Sequence, residues 1–206
     1  MRFFILTLAL LFSAAPALAG ADDGLYAPPV PDGAAVVRFL NHSDANVEIK
    51  AGGKSFGTAP MNAFTPYYVV KAGKTTVDMG GQTYDGDVAA GKRYTALLTG
   101  GKNPALLEDP AGDNRAKATV VLYNLSSAPV TLKAKAGTAP VIENVAPDAS
   151  GHRELNGVKV DFSVHDADGK QLTNLTPVIL ERGLIYGVVF DGAKATLSTA
   201  QTDTRK

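Results

Sequence analysis

"TVVLYNLSSAPVTLKAK", starting at Thr119, nearly repeats "AVVRFLNHSDANVEIKA", starting at Ala35. With Asn124 set on Asn41 the offset is 124 − 41 = 83 and no gap is needed. Val120 falls on Val37, Leu122 on Phe39, Tyr123 on Leu40, Val130 on Val47, Leu132 on Ile49 and Lys133 on Lys50. Both stretches end in "VEIK" or "VTLK", where apolar and polar residues alternate with period two. That period belongs to a strand with one buried face.

The repeat extends outward. "VDM" at Val77 lies 160 − 77 = 83 residues before "VDF" at Val160. "GKRYTALLTGG" from Gly91 resembles "GLIYGVVFDGA" from Gly183, at an offset of 183 − 91 = 92. The second copy therefore carries 92 − 83 = 9 extra residues, placed between Val77 and Gly183. They are expected in an elongated hairpin over "VHDADGKQLTNLTPVILE", turning at Asp168-Gly169. Further strand candidates include "PYYVVKA", "TTVDMG" and "KATLSTAQT". "KAGK", "MGGQ", "AAGK" and "DADGK" punctuate them as hairpin turns. No helical period intervenes. The expected fold is all-β: two tandem small β-sandwich domains of related fold.

Residues 1–19 read as a cleaved signal peptide. Arg2 is the positive end, Phe3 to Phe12 the apolar stretch, and Ala17-Leu18-Ala19 the small-x-small site, with cleavage after Ala19. Residues 20–33 form an extended, proline-rich arm carrying Leu25 and Tyr26. The domains are expected over 34–108 and 115–200, joined by a linker over 109–114. The mature chain has 206 − 19 = 187 residues with 19 basic and 20 acidic groups, a net charge of −1. That balance does not point to nucleic acid. There is no Cys, which excludes a disulfide scaffold, thiol chemistry and Cys-based metal sites.

No catalytic, cofactor or metal site is expected. The three histidines, His42, His152 and His165, lack zinc spacing and are each expected to face solvent. Ser150-Gly151-His152 is the one close Ser/His neighbourhood, but it lacks the context of an activated nucleophile. "DADG" at Asp166 begins like a calcium loop, yet Lys170 occupies a ligand place, so a hairpin turn explains it better. Asn41, Asn124 and Asn174 each begin a glycosylation triplet; at the two repeated positions a turn-capping role for the Asn side chain is expected instead.

"GLYAPPVPDGAAVVRFLN", "VVLYNLSS" and above all "GHRELNGVKVDFSVHDADGKQLTNLTPVILERG", Gly151 to Gly183, resemble the AlgF family of alginate O-acetylation proteins. The resemblance implies a two-domain β protein of the periplasm without its own catalytic site. It implies partners among the periplasmic polysaccharide O-acetyltransferases and a membrane-bound O-acyltransferase system. The expected function is thus a non-catalytic adaptor for acetylation of alginate or a related exopolysaccharide. Partner contacts are expected outside the repeated core, at Leu25, Tyr26, Arg38, His152, Arg153, Glu154, Glu181 and Arg182. The alternative is a carbohydrate-binding module that holds the polymer itself, through the adjacent rings of Tyr67 and Tyr68.

Overall fold

The computed structural model describes residues 30–99, 104–112, 114–134, 137–199 and 204–205. The expected signal peptide and most of the expected arm, with Leu25 and Tyr26, lie outside the described residues. Every regular element described is a strand. The first half contains β1 (Ala34–His42), β2 (Val47–Ala51), β3 (Lys54–Ala59), β4 (Ala63–Phe64), β5 (Tyr67–Lys71), β6 (Gly73–Met79), β7 (Gln82–Val88), β8 (Arg93–Thr99) and β9 (Ala105–Asp109). The second contains β10 (Ala118–Asn124), β11 (Val130–Ala134), β12 (Ala139–Val145), β13 (Ala149–Leu155), β14 (Lys159–Val160), β15 (Ser163–His165), β16 (Gln171–Asn174), β17 (Val178–Ile179), β18 (Ile185–Phe190) and β19 (Ala195–Thr199). A last strand, β20 (Thr204–Arg205), pairs in parallel with β5 of the first domain.

The two halves are the same sandwich. In the first, β5-β1-β8-β9 faces β3-β2-β6-β7; in the second, β13-β10-β18-β19 faces β12-β11-β15-β16. In both, the first strand runs parallel to the penultimate one, β1 with β8 and β10 with β18. Each has its own apolar core. Val37, Phe39, Ile49, Val77, Met79 and Ala96 fill the first; Val120, Leu122, Leu132, Phe162, Val164 and Val188 fill the second.

Local hydrogen bonds repeat with the fold. The Tyr94 hydroxyl accepts the amide of Ala89 at 3.0 Å, and the Tyr186 hydroxyl accepts that of Glu181 at 2.9 Å. Each ties a buried ring to backbone five residues upstream, much as the tyrosine corner does in other sandwiches. Asn41 donates to the Ala45 and Ala59 carbonyls, and Asn124 to those of Ala128 and Val145. Both Asn side chains also accept from the hydroxyl two residues on, Ser43 or Ser126. Both are fully buried, so they pin the turn after the first strand and offer no amide to a glycan.

The extra residues of the second copy do form a long hairpin. Lys159 pairs with Ile179, Val164 with Thr173, and the turn lies between His165 and Gln171. Asp166 accepts the amides of Asp168 and Lys170, a turn closed by its own side chain rather than by a cation. The register of the repeat shifts earlier than "VDM" and "VDF" suggest. Ile49 pairs with Met79, and its equivalent Leu132 pairs with Val164, an offset of 164 − 79 = 85. Val77 therefore corresponds to the core residue Phe162, not to Val160, and two of the nine extra residues precede β15.

The contact between the domains and its crevice

β11 alternates strictly between buried and partly exposed positions, and β2 does so from Glu48 on, with Ile49 and Ala51 buried between more exposed residues. β10 and β18 are buried along their whole length, and β1 and β8 at all but their last residue. Their sheets are covered on both faces. One face meets the domain core; the other meets the sister domain. Leu40 and Leu97 from the first half pack with Val121, Tyr123, Ile185 and Val189 from the second, flanked by Phe64 and Leu107.

A polar cluster sits within this apolar contact. Arg38 donates from Nε to Thr95 Oγ1 at 2.9 Å and from Nη2 to the Tyr123 hydroxyl at 2.8 Å. Asp109 receives the hydroxyls of Tyr123 at 2.5 Å, Thr95 at 2.6 Å and Tyr67 at 2.7 Å. Arg38 Nε stands 3.3 Å from Asp109 Oδ2, and both side chains are almost wholly buried. The guanidinium also lies 4.3 Å above the Phe64 ring and 4.9 Å from the Tyr67 ring. Such stacking suits the planar, weakly hydrated guanidinium. Burial pushes the phenols of Tyr67 and Tyr123 up from their ordinary value; Arg38 pulls the other way and Asp109 adds to the rise. Burial opposes the charge on Arg38, but Tyr123 and Asp109 more than compensate and hold it protonated. Charge, pairing and hydrogen bonds thus agree on a cationic Arg38 and neutral phenols.

Close approach in this contact depends on Gly187. A Cβ there would lie 2.6 Å from two ring carbons of Phe64, across the domain boundary. The equivalent place in the first copy is Thr95, which spends its hydroxyl on Arg38 and Asp109 instead. The contact is therefore built from what the repeats do not share: Arg38 against Val121, Tyr123 against Leu40, and Gly187 against Thr95.

At its edge the contact opens into a crevice of about 450 Å³, lined by Lys92, Arg93, Glu108, Asp109, Ser150 and His152. Ser150 and His152 reach it together because residues two apart on β13 share a face, opposite Tyr123 and Val121. No hydrogen bond joins them among the described residues. Lys92 pairs with Glu108 at 2.8 Å on the rim. A different Ser/His pair does meet: Ser163 Oγ lies 2.9 Å from His165 Nε2, and His165 Nδ1 lies 3.0 Å from the Gly169 carbonyl. The carbonyl can only accept, so Nδ1 carries a proton, and in the neutral ring Nε2 accepts from Ser163. Ser163 is 2 % and His165 5 % exposed, which leaves no path for a substrate. His165 is thus a satisfied interior residue rather than a solvent-facing one. His42 is also partly covered, 3.5 Å from Asp191 of the other domain.

The other expected site residues fall in three places. Arg38 has no exposed surface, since its contact is the second domain itself. Tyr67 and Tyr68 are buried, at 1 % and 9 %, and cannot present a ring pair to a sugar: Tyr67 faces the domain contact, and Tyr68 stacks on Phe56 in the first core. His152, Arg153 and Glu154 are exposed along β13. Glu154 accepts from Asn114, and Arg153 reaches the Val141 carbonyl. Arg182 lies against Gly157, just beyond β13, so its turn and the end of that strand are neighbours. Asp109, expected as the first linker residue, is the last residue of β9 and the acceptor at the centre of the cluster.

The family model described as "Alginate O-acetyl transferase AlgF" matches residues 7–187. The chain belongs to the AlgF family. A relative from Pseudomonas putida named "Alginate biosynthesis protein AlgF" is 34% identical over 182 residues, 88% of this chain and 84% of its own. A relative of the same name from Pseudomonas syringae pv. tomato is 33% identical over 183 residues, 89% of this chain and 82% of its own. The solved C-terminal domain of AlgF from P. aeruginosa is 36% identical, with a TM-score of 0.34, and covers 41% of this chain and 97% of its own. In this AlgF-family chain no helix among the described residues is long and apolar enough to cross a membrane. No group of three or more His, Asp or Glu among them is placed to hold a metal.

Proposed function

We propose that this protein is a non-catalytic periplasmic adaptor, holding the enzymes that O-acetylate alginate or a related exopolysaccharide in a fixed mutual arrangement. The observation that carries the reading is the Arg38–Asp109–Tyr123 cluster. A buried ion pair adds little net stability over an apolar contact, but it penalises every other docking of the two domains. Its presence fits a molecule selected to keep two outer surfaces in one orientation. Linked surfaces of that kind raise the effective concentration of two partners for each other.

Two of the polar groupings nearest to a catalytic arrangement are otherwise engaged. The one Ser/His hydrogen bond described is enclosed, and the hydroxyls around Asp109 are consumed by the domain contact. The surface left for partners includes β13 with His152, Arg153 and Glu154, and the turn at Glu181 and Arg182. Co-purification of the periplasmic acetyltransferases with tagged protein tests this. Capture by the wild type, weakened by a charge swap at Arg153 and Glu154, is expected. Absence of any acetyltransferase in the eluate would contradict the adaptor role.

A further inference from the structure

The chain enters the first sandwich through a turn. The Pro31 carbonyl accepts the Ala34 amide at 3.1 Å, and Gly33 between them has a φ of +69°. A turn with positive φ at its third residue reverses the chain, so the residues before Pro31 do not continue the line of β1. The turn is anchored on one side, where the Gly33 carbonyl accepts the Ala72 amide at 3.2 Å. Ala72 also lines a crevice of about 440 Å³ whose other walls come from β3, β5 and β6.

This crevice is basic on its rim and apolar along its walls. Lys54, Lys71 and Lys74 surround it, and no carboxylate is among the described residues that line it. Lys54 and Lys71 are exposed and pair with no carboxylate among the described residues, whereas Lys74 faces Asp87 across the β6–β7 pair. Lys54 Nζ lies 5.4 Å from the centre of the Phe56 ring. Phe56 and Val69 are only partly covered. β20 pairs with Tyr67 and Tyr68 alone, so among the described residues no strand continues it along Val69–Lys71.

We propose that residues 20–29, the expected arm, dock in this crevice of their own first domain, with Asp22 and Asp23 against Lys54 and Lys71 and with Leu25 and Tyr26 against Phe56 and Val69. The reach is sufficient. From Asp23 to Val30 the chain advances 30 − 23 = 7 positions. At the polyproline rise, which Pro28 and Pro29 favour, that is about 22 Å. Charge selects the crevice. Residues 20–29 carry two acidic side chains and no Lys or Arg. The crevice at the domain contact also opens near the start of β1, since the Val36 amide donates to the Lys92 carbonyl. There Lys92 is already paired with Glu108, and Asp109 adds a second carboxylate to the lining. A short tether holds the arm at about millimolar effective concentration, so a contact too weak for a free peptide forms within one chain. Leu25 and Tyr26 then serve the first domain rather than a partner, and the docking stands whether or not the adaptor reading does.

The chain has no Cys, so Ala21→Cys provides a single site for a nitroxide label on ¹⁵N-labelled protein beginning at Gly20. Paramagnetic broadening of the amide signals of Gly52–Phe56 and Lys71–Thr75 is expected, decreasing as salt rises. Asp22→Lys/Asp23→Lys should abolish it. Adding Lys54→Glu/Lys71→Glu to that variant should restore it, because the exchanged charges attract again. The proposal is overturned by equal broadening with the charge-reversed arm, or by broadening centred on Lys92, Arg93 and His152 instead. It is also overturned if ¹⁵N-labelled protein is broadened by nitroxide carried only on unlabelled copies, which places the arm on a second molecule. Partner capture is measured separately, so failure of either idea leaves the other standing.

Discussion

Arg38 and Tyr123 lie 85 positions apart in the chain, yet Arg38 Nη2 donates to the Tyr123 hydroxyl at 2.8 Å inside the domain contact. Neither residue has an equivalent of its own type in the other repeat. Together with Asp109 they convert two copies of one sandwich into a single body with a defined orientation.

Removing one partner should expose the cost of the others. Arg38→Ala takes from the buried Asp109 carboxylate the guanidinium that stands 3.3 Å away. A loss of about 3–5 kcal/mol is expected. Tyr123→Phe, which removes one hydroxyl donor, should lose about 1–3 kcal/mol. Urea denaturation of both variants measures this, and equal, negligible losses would show that the cluster is solvated in solution.

Gly187 offers a way to open the contact without touching either core. Gly187→Leu places a side chain where a Cβ alone would come within 2.6 Å of Phe64. Overpacking of this kind costs about 1–3 kcal/mol. The expected outcome is a more extended particle by small-angle scattering, with amide signals of both cores preserved. Phe64→Ala should partly rescue Gly187→Leu, because the two positions share one space.

Alkaline pH should release the same contact. Burial raises the pKa of both Tyr67 and Tyr123 above the ordinary 10.0. For groups raised in the folded state, the stability they contribute is fully present below about pH 10. It is lost as pH climbs from there toward the folded-state values. Stability measured between pH 8 and pH 11.5 should fall steeply above pH 10, and less steeply in Tyr67→Phe/Tyr123→Phe. An unchanged slope in that variant would remove the phenols from the explanation.

The turn after each first strand rests on one amide. Asn124→Ala takes a buried donor from the Val145 carbonyl, while the Ala128 carbonyl keeps the Ser126 hydroxyl. A loss of about 2 kcal/mol or more is expected, with a similar loss for Asn41→Ala. Thermal unfolding of the two variants checks it, and a neutral result at either site would mean that the turn does not depend on its asparagine.

Much of this architecture is legible in the sequence, because a repeat and a period-two pattern are local signals. "VTLK" and "VEIK" announce strands with one wet face, and Asn41 with Asn124 announces a shared turn. The contact between domains is not local, but it left a trace. "AAVVRFLN" and "ATVVLYN" do not alternate; apart from Arg38, Thr119 and the closing Asn they are apolar at consecutive positions, as strands buried on both faces are. Arg38 within the first run then reads as a charge that needs a buried partner, not as a surface contact. Asp109 was hidden from that reading because it stands among the prolines and glycines of the join. Tyr67 and Tyr68 were misleading for a related reason: neighbours on a strand do face opposite ways, but here both faces are covered.

The most direct test of the adaptor role is the acetyl content of the secreted polysaccharide, by proton NMR of purified polymer from a strain lacking this gene. Polymer should still be made, and its acetyl signal should be lost. Wild-type protein should restore the signal, and so should Ser163→Ala, whereas Gly187→Leu should restore it only in part. Unchanged acetylation in the deletion strain, or a loss of acetylation with Ser163→Ala in a folded protein, would contradict a non-catalytic adaptor.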